Sequence, residues 1–210
     1  MSITASNSAK QRELIPAGNY IARCFQMIHI GTIQEAYKGE TKLLNKVRIG
    51  WELPTETRVF KEENGEQPMV ISQDYTVSLN KKSNLRKLLT SWRGKDFTEA
   101  EAKSFDITKL IGAACMLNII HKPGNEDPTK TFQSISSVSA MPKGVPAPAA
   151  VNKPQVLSYD DWNDDVFRIL PDFLQNKIMT SVEYAAMIEP ATTHIKQEPV
   201  GVEDESDLPF

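Results

Sequence analysis

Residue types alternate between positions 42 and 53, in KLLNKVRIGWEL, and this alternation restricts the possible folds more than any other feature. Most odd positions are apolar, whereas the even positions include two lysines, an arginine and a glutamate. A period of two with one apolar and one basic face is typical of an antiparallel strand that is buried on one side only. The apolar members of this strand are Leu43, Val47, Ile49, Trp51 and Leu53.

Four other segments predict strands, at residues 18–31, 68–79, 113–122 and 131–140. Polar turns separate the first three strands, and one of these turns is centred on Asn64-Gly65. A helix capped by Ser83 and ended by Gly94 follows the third strand. The next segment begins with a capping-box pattern, Thr98 and Glu101, which predicts a second short helix.

This order of elements predicts a mainly β fold with helical additions. Five short strands with helices between strands 3 and 4 favour the OB-fold, a partly open five-stranded barrel whose strand 2–3 face binds oligonucleotides. The alternative is another small β-barrel or sandwich whose basic residues are merely solvated. A C-terminal helical segment and a disordered acidic tail complete the predicted chain.

Charge is divided unevenly along the 210 residues. Residues 1–140 contain 19 basic and 15 acidic side chains, and residues 141–210 contain 5 and 12. Together with a Pro- and Ala-rich stretch after Met141, this predicts five regions. They are a flexible arm (1–15), an OB-fold domain (16–141), a linker (142–157), a helical segment (158–189) and a disordered acidic tail (190–210).

Several functional classes are not expected. The two cysteines, Cys24 and Cys115, are too few for a disulfide scaffold, and the three histidines show no metal-ligand spacing. No phosphate-binding loop or nucleophile pattern is present, so we expect no enzyme activity, metal or cofactor. The sequence shows no signal peptide and no membrane-spanning run, which predicts a cytoplasmic protein.

Basic residues cluster on strand 2 and its end, and again between strand 3 and the helix. Such clusters bind nucleic acid by releasing the counterions condensed on its phosphates, although a run of charge is usually just a solvated face. The predicted phosphate contacts are Lys42, Lys46, Arg48, Arg58, Lys61, Lys81, Lys82, Arg86, Lys87 and Arg93.

Aromatic residues are interleaved with these cations, and rings in a basic groove stack on unpaired bases whatever their sequence. Tyr37 and Phe60 are the favoured stacking residues because polar residues surround them in connecting segments. Phe25 is undecided, since strand 1 does not alternate cleanly. For Trp51 and Tyr75 burial is favoured over stacking, because each shares its strand face with aliphatic residues.

The helical segment is amphipathic, with Trp162, Val166, Ile169 and Phe173 at spacings of three or four. We favour a helix that packs on the barrel or pairs with a second copy. The other interpretations are a docking element for a partner, and an acidic segment that lies across the basic groove when DNA is absent.

The last residues are the most specific signal. Four acids are followed by Leu-Pro-Phe and a free carboxylate, a combination suited to docking in an apolar pocket with a basic rim. This partner-binding tip consists of Glu203, Asp204, Glu205, Asp207, Leu208, Pro209 and Phe210. It resembles the C-terminal tip of bacterial and phage single-stranded DNA-binding proteins, whose barrel, Pro-rich linker and tip follow in the same order.

The resemblance implies a phage-type protein that coats single-stranded DNA without sequence preference in replication, recombination and repair, in the host cytoplasm. Its tip would recruit partner enzymes. The body departs from bacterial members in its helical segment at 91–112, so stacking residues do not transfer by position. A strand-annealing recombination protein and a protein-only adaptor with a structural barrel are the alternatives. The sequence leaves open whether the chain forms a homo-oligomer.

Overall fold

The computed structural model describes residues 13–37, 39–124 and 127–189, with Tyr37 described by its backbone alone. The described chain is mainly β, with six strands and four α-helices. The strands are β1 (Gly18–Tyr37), β2 (Glu40–Val59), β3 (Glu66–Thr76), β4 (Ala114–Pro123), β5 (Thr131–Ser139) and β6 (Gln155–Leu157). The helices are α1 (Asn84–Arg93), α2 (Asp164–Arg168), α3 (Asp172–Met179) and α4 (Val182–Ile188).

All six strands belong to one open sheet. Its order is β3-β2-β1-β4-β5, with antiparallel neighbours, and β6 pairs in parallel with β1. The mainly β class and the helical additions are confirmed. The finer prediction of a closed OB barrel is not shown, because β3 and β5 form the two edges of this order and do not pair with each other.

Strand β1 is the central strand of the sheet. Two irregularities along it change which of its residues face each side. Its register with β2 is interrupted between Cys24 and Gln26 and again between His29 and Gly31. Each interruption is the mark of a β-bulge, which bends a strand and re-aims its side chains. As a result Cys24 and Met27, three residues apart, both face one hydrophobic core, and Ile30 and Ile33 both face a second core on the other side.

The first core lies between the inner face of the sheet and α1. It contains Trp51 and Trp92, whose rings are 5.9 Å apart, and the helical residues Leu85 and Leu89. The alternation predicted for β2 holds at Val47, Arg48 and Ile49, but residues 49–53 are all buried, and Glu52 of the predicted polar face is 0 % exposed. Leu43, in contrast, is 65 % exposed, because it lies where the β1–β2 hairpin extends beyond the core.

The predicted ends of α1 are also confirmed. The Ser83 hydroxyl accepts a hydrogen bond from the Arg86 N–H, and Gly94 ends the helix in the left-handed conformation. Thr98 and Glu101 form the reciprocal capping-box bonds, at 2.9 and 3.1 Å. After this capping box the chain forms a single 3-10 turn, Glu101–Lys103, so the second helix is shorter than expected.

The second core lies on the outer side of β1, beneath α2, α3 and α4, which we call the helical cap. Leu170, Leu174 and Ile178 of the cap pack with Ile28 and Ile30 of β1. The packing of the helical segment on the sheet is therefore observed.

The predicted apolar stripe of this segment is wrong in part. Ile169 and Phe173 are 64 % and 58 % exposed, whereas Trp162 and Val166 pack partly against the second core. The reason is the turn at Pro171, which separates two short helices, so residues 162 and 173 do not share one helical face.

The segment between the sheet and the cap is anchored to the sheet. Gln155–Leu157 form β6, and the buried carboxylate of Glu52 accepts hydrogen bonds from the backbone N–H groups of Val151 and Asn152 at 3.0 and 2.7 Å. These residues belong to the predicted linker. A buried carboxylate needs such donors, because an unpaired one would be very costly.

The predicted N-terminal arm also contributes to the fold at its end. Ile15 is fully buried in the first core, its N–H donates to the Gln133 side chain, and its carbonyl contacts His121 Nε2 at 2.7 Å. Residues 1–12 of the arm lie outside the described residues, as do all residues of the tail from 190 to 210.

Gly31 is the contact point between β1 and α4. Its φ is +93°, and a Cβ built on it would lie 2.8 Å from the Ser181 side chain. The next residue, Thr32, donates from its N–H and hydroxyl to the Glu183 carboxylate at 2.6 and 2.7 Å. Burial opposes the charge on Glu183, but these hydrogen bonds outweigh it and hold its pKa below the usual value.

We therefore predict that Gly31→Ala destabilises the protein by about 3 kcal/mol, since it adds a steric clash to the cost of a left-handed conformation. Gly39→Ala is the matched control, because Gly39 has a φ of +82° but no atom within 4 Å of its added Cβ. We expect it to cost only about 1 kcal/mol. Urea unfolding measures the free energy of unfolding of both variants. Equal losses of stability would contradict the role of Gly31 as the contact point between β1 and α4.

Candidate nucleic-acid interface

The basic residues predicted on strand 2 lie in an ion-pair network that holds α3 on the outer face of the sheet. Lys46 pairs with Glu35 at 2.8 Å, and Arg48 pairs with Asp74 at 2.8 Å. Lys177 of α3 reaches both carboxylates, at 3.4 Å from Glu35 and 2.9 Å from Asp74. Three cations and two anions thus alternate across β1, β2, β3 and α3.

Because of this network, the two β2 cations Lys46 and Arg48 are not free to bind a ligand on the outer face of the sheet. The side chains of Lys46 and Arg48 are only 12 % and 21 % exposed, and the Arg48 guanidinium lies 5.3 Å from the Phe173 ring. Burial alone would raise the pKa of Glu35, but Lys46 and Lys177 outweigh it and hold that pKa below 4.5. In this conformation Lys46 and Arg48 dock the helical cap and are not open to a phosphate chain.

Arg86 and Arg93 are structural as well. Arg86 is 5 % exposed and donates to Asp96 and to the carbonyls of Leu79 and Phe97. Its hydrogen bond is the largest of the effects that lower the pKa of Asp96 to about 2. Arg93 pairs with Glu101 at 2.7 Å, and its side chain is 13 % exposed. Neither guanidinium is available as a surface cation.

Among the predicted stacking residues, two are in the core. Trp51 is fully buried and Tyr75 is 6 % exposed, and burial also raises the pKa of the Tyr75 hydroxyl. Phe25 is half-buried, and the side chain of Tyr37 lies outside the described atoms. Phe60 is 58 % exposed at the end of β2, so its ring is accessible for stacking.

The remaining predicted cations are more accessible but form two separate groups. Lys81 and Lys82 before α1 and Lys87 within it are exposed, and Lys81 pairs with Glu99 at 3.4 Å. Arg58 and Lys61 flank Phe60 and pair with Glu13 and Glu63. Lys42 is half-exposed near the β1–β2 turn and pairs with Glu40 at 2.9 Å.

The sheet register brings the end of β2 and the β4–β5 turn to one end of the sheet. Glu52 of β2 pairs with Arg23, and Ile119 of β4 pairs with Gly18, so both strands continue past the start of β1. Residues 13–15 connect them, because Glu13 pairs with Arg58 whereas the Ile15 N–H donates to Gln133 of β5.

This end of the sheet carries a second exposed ring, which is not among the predicted stacking residues. Phe132 is 52 % exposed in a cleft of about 470 Å³, together with Lys122 and Lys130. Its ring lies against Gly124, where an added Cβ would come within 2.7 Å of it. We call the set of Arg58, Phe60, Lys61, Lys122, Lys130 and Phe132 the hairpin-end surface.

Phe132 carried a weak signal in the sequence, since it is a ring two residues after Lys130 and next to a polar turn. Sequence alone could not place it at the same end of the sheet as Phe60, because that depends on pairing between strands far apart along the chain.

The ion pairs on this surface are exposed: Lys130 lies 3.3 Å from Asp127, and Lys61 lies 3.7 Å from Glu63. Such pairs contribute roughly 0–1 kcal/mol, so phosphates can replace the carboxylates.

Other candidate features add no site. In the part of the chain that the structure describes, no group of three His, Cys, Asp or Glu residues could hold a metal ion. None of the helices in that part has the length and hydropathy needed to span a bilayer. The predicted partner-binding tip, Glu203–Phe210, lies outside the described residues.

Comparison with protein-family models, curated proteins and solved structures finds no match to this chain.

The network predicts a salt- and pH-dependent role for Lys177. We expect Lys177→Met to lower the free energy of unfolding by about 1 kcal/mol at low salt and by less at high salt. Because the folded state lowers the pKa of Glu35, its contribution is present above pH 4.5 and is lost as the pH falls through the lowered value.

Urea unfolding at two salt concentrations and across this pH range tests the prediction. Lys82→Met is the control, since Lys82 is exposed and forms no ion pair with any residue in the described ranges. A Lys177→Met variant as stable as the control variant would contradict the anchoring role.

Proposed function

We propose that the chain binds single-stranded DNA without sequence preference and recruits partner proteins through its acidic C-terminal tip. The observation that carries the proposal is the hairpin-end surface, where two exposed rings stand among four cations. Rings stack on bases that are free of a duplex, and cations neutralise the adjacent phosphates. A duplex offers no such exposed base faces.

The sheet supports this proposal without establishing the fold family. The strand order β3-β2-β1-β4-β5, with a helix between β3 and β4, is compatible with a partly open OB-type barrel. In such barrels the strand 4–5 connection is one of the segments that contact oligonucleotides. Of the phosphate contacts predicted from the sequence we retain Arg58, Lys61 and Lys42, and we add Lys122 and Lys130, which line the cleft beside Phe132.

Two alternatives have distinct signatures. A strand-annealing recombination protein would accelerate the renaturation of complementary strands, which a coating protein would not. A protein-only adaptor would bind no DNA, and its sheet would serve only as a scaffold for the tip and the helical cap. The exposed rings beside cations favour a nucleic-acid ligand over this adaptor.

The stacking role predicts that Phe60→Ala and Phe132→Ala each weaken binding to a poly-dT oligonucleotide that holds a single copy about tenfold, since one stacked base contributes ~1–3 kcal/mol. Phe173→Ala is the matched control: Phe173 is as exposed as Phe60, at 58 %, but lies on the helical cap. Fluorescence anisotropy at several salt concentrations measures the affinities.

We expect affinity to fall as salt rises, and to be weaker for duplex of the same length. Equal affinity for single strand and duplex, or no dependence on salt, would contradict the proposal. Equal losses in the Phe60, Phe132 and Phe173 variants would contradict the assignment of the hairpin-end surface.

The tip has a separate role and a separate test. Removal of residues 203–210 takes away four negative charges, so DNA affinity is expected to stay equal or rise. Recruitment of replication or recombination enzymes is expected to disappear. Pull-down with the full chain and with the truncated chain tests recruitment, and loss of DNA affinity on truncation would contradict this division of roles.

A further inference from the structure

The helical cap and the region around α1 carry opposite charge on opposite sides of the sheet. Met27 of β1 faces the core that contains α1, and the next residue, Ile28, faces the core beneath the cap. Successive residues of a strand point to opposite faces, so the sheet separates the two charged regions. Within one copy the two regions approach each other at a pocket lined by residues 105–108 and 156–158, whereas α1 and α3 pack on opposite faces.

The cap side is acidic and apolar. Residues 158–189 contain seven acids and two bases, and one of these bases, Lys177, is directed to the sheet. Ile169 and Phe173 are exposed among these acids. Five aspartates of this segment are exposed: Asp160, Asp161, Asp164, Asp165 and Asp172.

The α1 side is basic. Residues 80–110 contain eight bases and four acids, and Arg86 and Arg93 are the two bases used internally. Lys82 and Lys87 are exposed and form no ion pair with residues in the described ranges. Lys81, Lys103 and Glu99 border a polar cleft of about 350 Å³ beside them.

We propose that the acidic cap of one copy docks on the basic α1 side of a second copy. The charges are complementary, and the aliphatic stems of lysines can cover Ile169 while an ammonium group meets the Phe173 ring. Because the two surfaces differ, the contact is head-to-tail, and a pair of copies still presents one free surface of each kind. Successive copies then form a row, and neighbours bound to one strand gain affinity from each other.

The proposal assigns Lys82 and Lys87 to the neighbouring copy and not to phosphates. This distinguishes them from Lys122 and Lys130 of the hairpin-end surface. Self-association does not require DNA, so it can be tested whether or not the proposed DNA binding is correct.

The test is sedimentation velocity of the full chain at low salt, with two charge-reversed variants. Lys82→Glu/Lys87→Glu replaces two exposed cations of the α1 side by acids while the cap stays acidic, and Asp160→Lys/Asp161→Lys replaces two exposed acids of the cap side by cations while the α1 side stays basic. We expect the wild-type protein to associate with rising concentration, and each variant alone to associate about tenfold more weakly. An equimolar mixture of the two variants restores complementary contacts, so we expect it to associate like the wild type.

Lys122→Glu/Lys130→Glu is the matched control, with the same charge change at the hairpin-end surface. It should leave self-association unchanged and weaken binding to an oligonucleotide that holds a single copy. The reverse result for Lys82→Glu/Lys87→Glu, lost oligonucleotide binding with normal association, would overturn the inference. So would a wild-type protein that stays monomeric, or a mixture that associates no better than either variant alone.

Discussion

The fold depends on the burial of both faces of β1. Ala22, Cys24 and Met27 pack on the α1 side, while Ile28, Ile30 and Ile33 pack under the helical cap. The bulges before Gln26 and Gly31 shift the alternation of β1, so that Cys24 and Met27 share one core and Ile30 and Ile33 share the other. Burial of a large aliphatic side chain contributes ~1.5–3 kcal/mol, so the three isoleucines bind the cap firmly to the sheet. The cap is thus an integral part of the fold, although a Pro-rich segment precedes it.

This packing decides which surface is open to the ligand that we propose. The outer face of β2 and β3, the surface expected for an OB-type barrel, is occupied by α3 through Lys177 and Phe173. Its own cations are neutralised by Glu35 and Asp74, so removal of the cap would leave a nearly neutral face. The end of the sheet, in contrast, offers exposed rings and exposed cations. The electrostatics therefore favour the hairpin-end surface over the covered face.

Local signals in the sequence predicted local structure well. The Ser83 and Gly94 ends of α1 and the capping box at Thr98 depend on neighbours along the chain, and they are observed. The alternation of β2 holds only until Ile49, because the next four residues are buried whichever face they point to. The irregular pattern of β1, which left Phe25 undecided, reflects bulges that only its pairing with β2 defines. The carboxylate of Glu52 and the pair of Phe60 and Phe132 depend on partners about 70 to 100 residues away, and no local pattern encodes those.

Hydrogen exchange of the full chain, with and without a poly-dT oligonucleotide that holds a single copy, distinguishes binding at the end of the sheet from binding beneath the cap. We predict slower exchange at residues 58–61 and 122–132, and unchanged exchange in the helical cap. Protection around Lys46 and Arg48, together with faster exchange across residues 164–188, would mean that DNA displaces the cap and binds the face beneath it. That result would contradict a cap that stays in place while the strand binds at the hairpin-end surface.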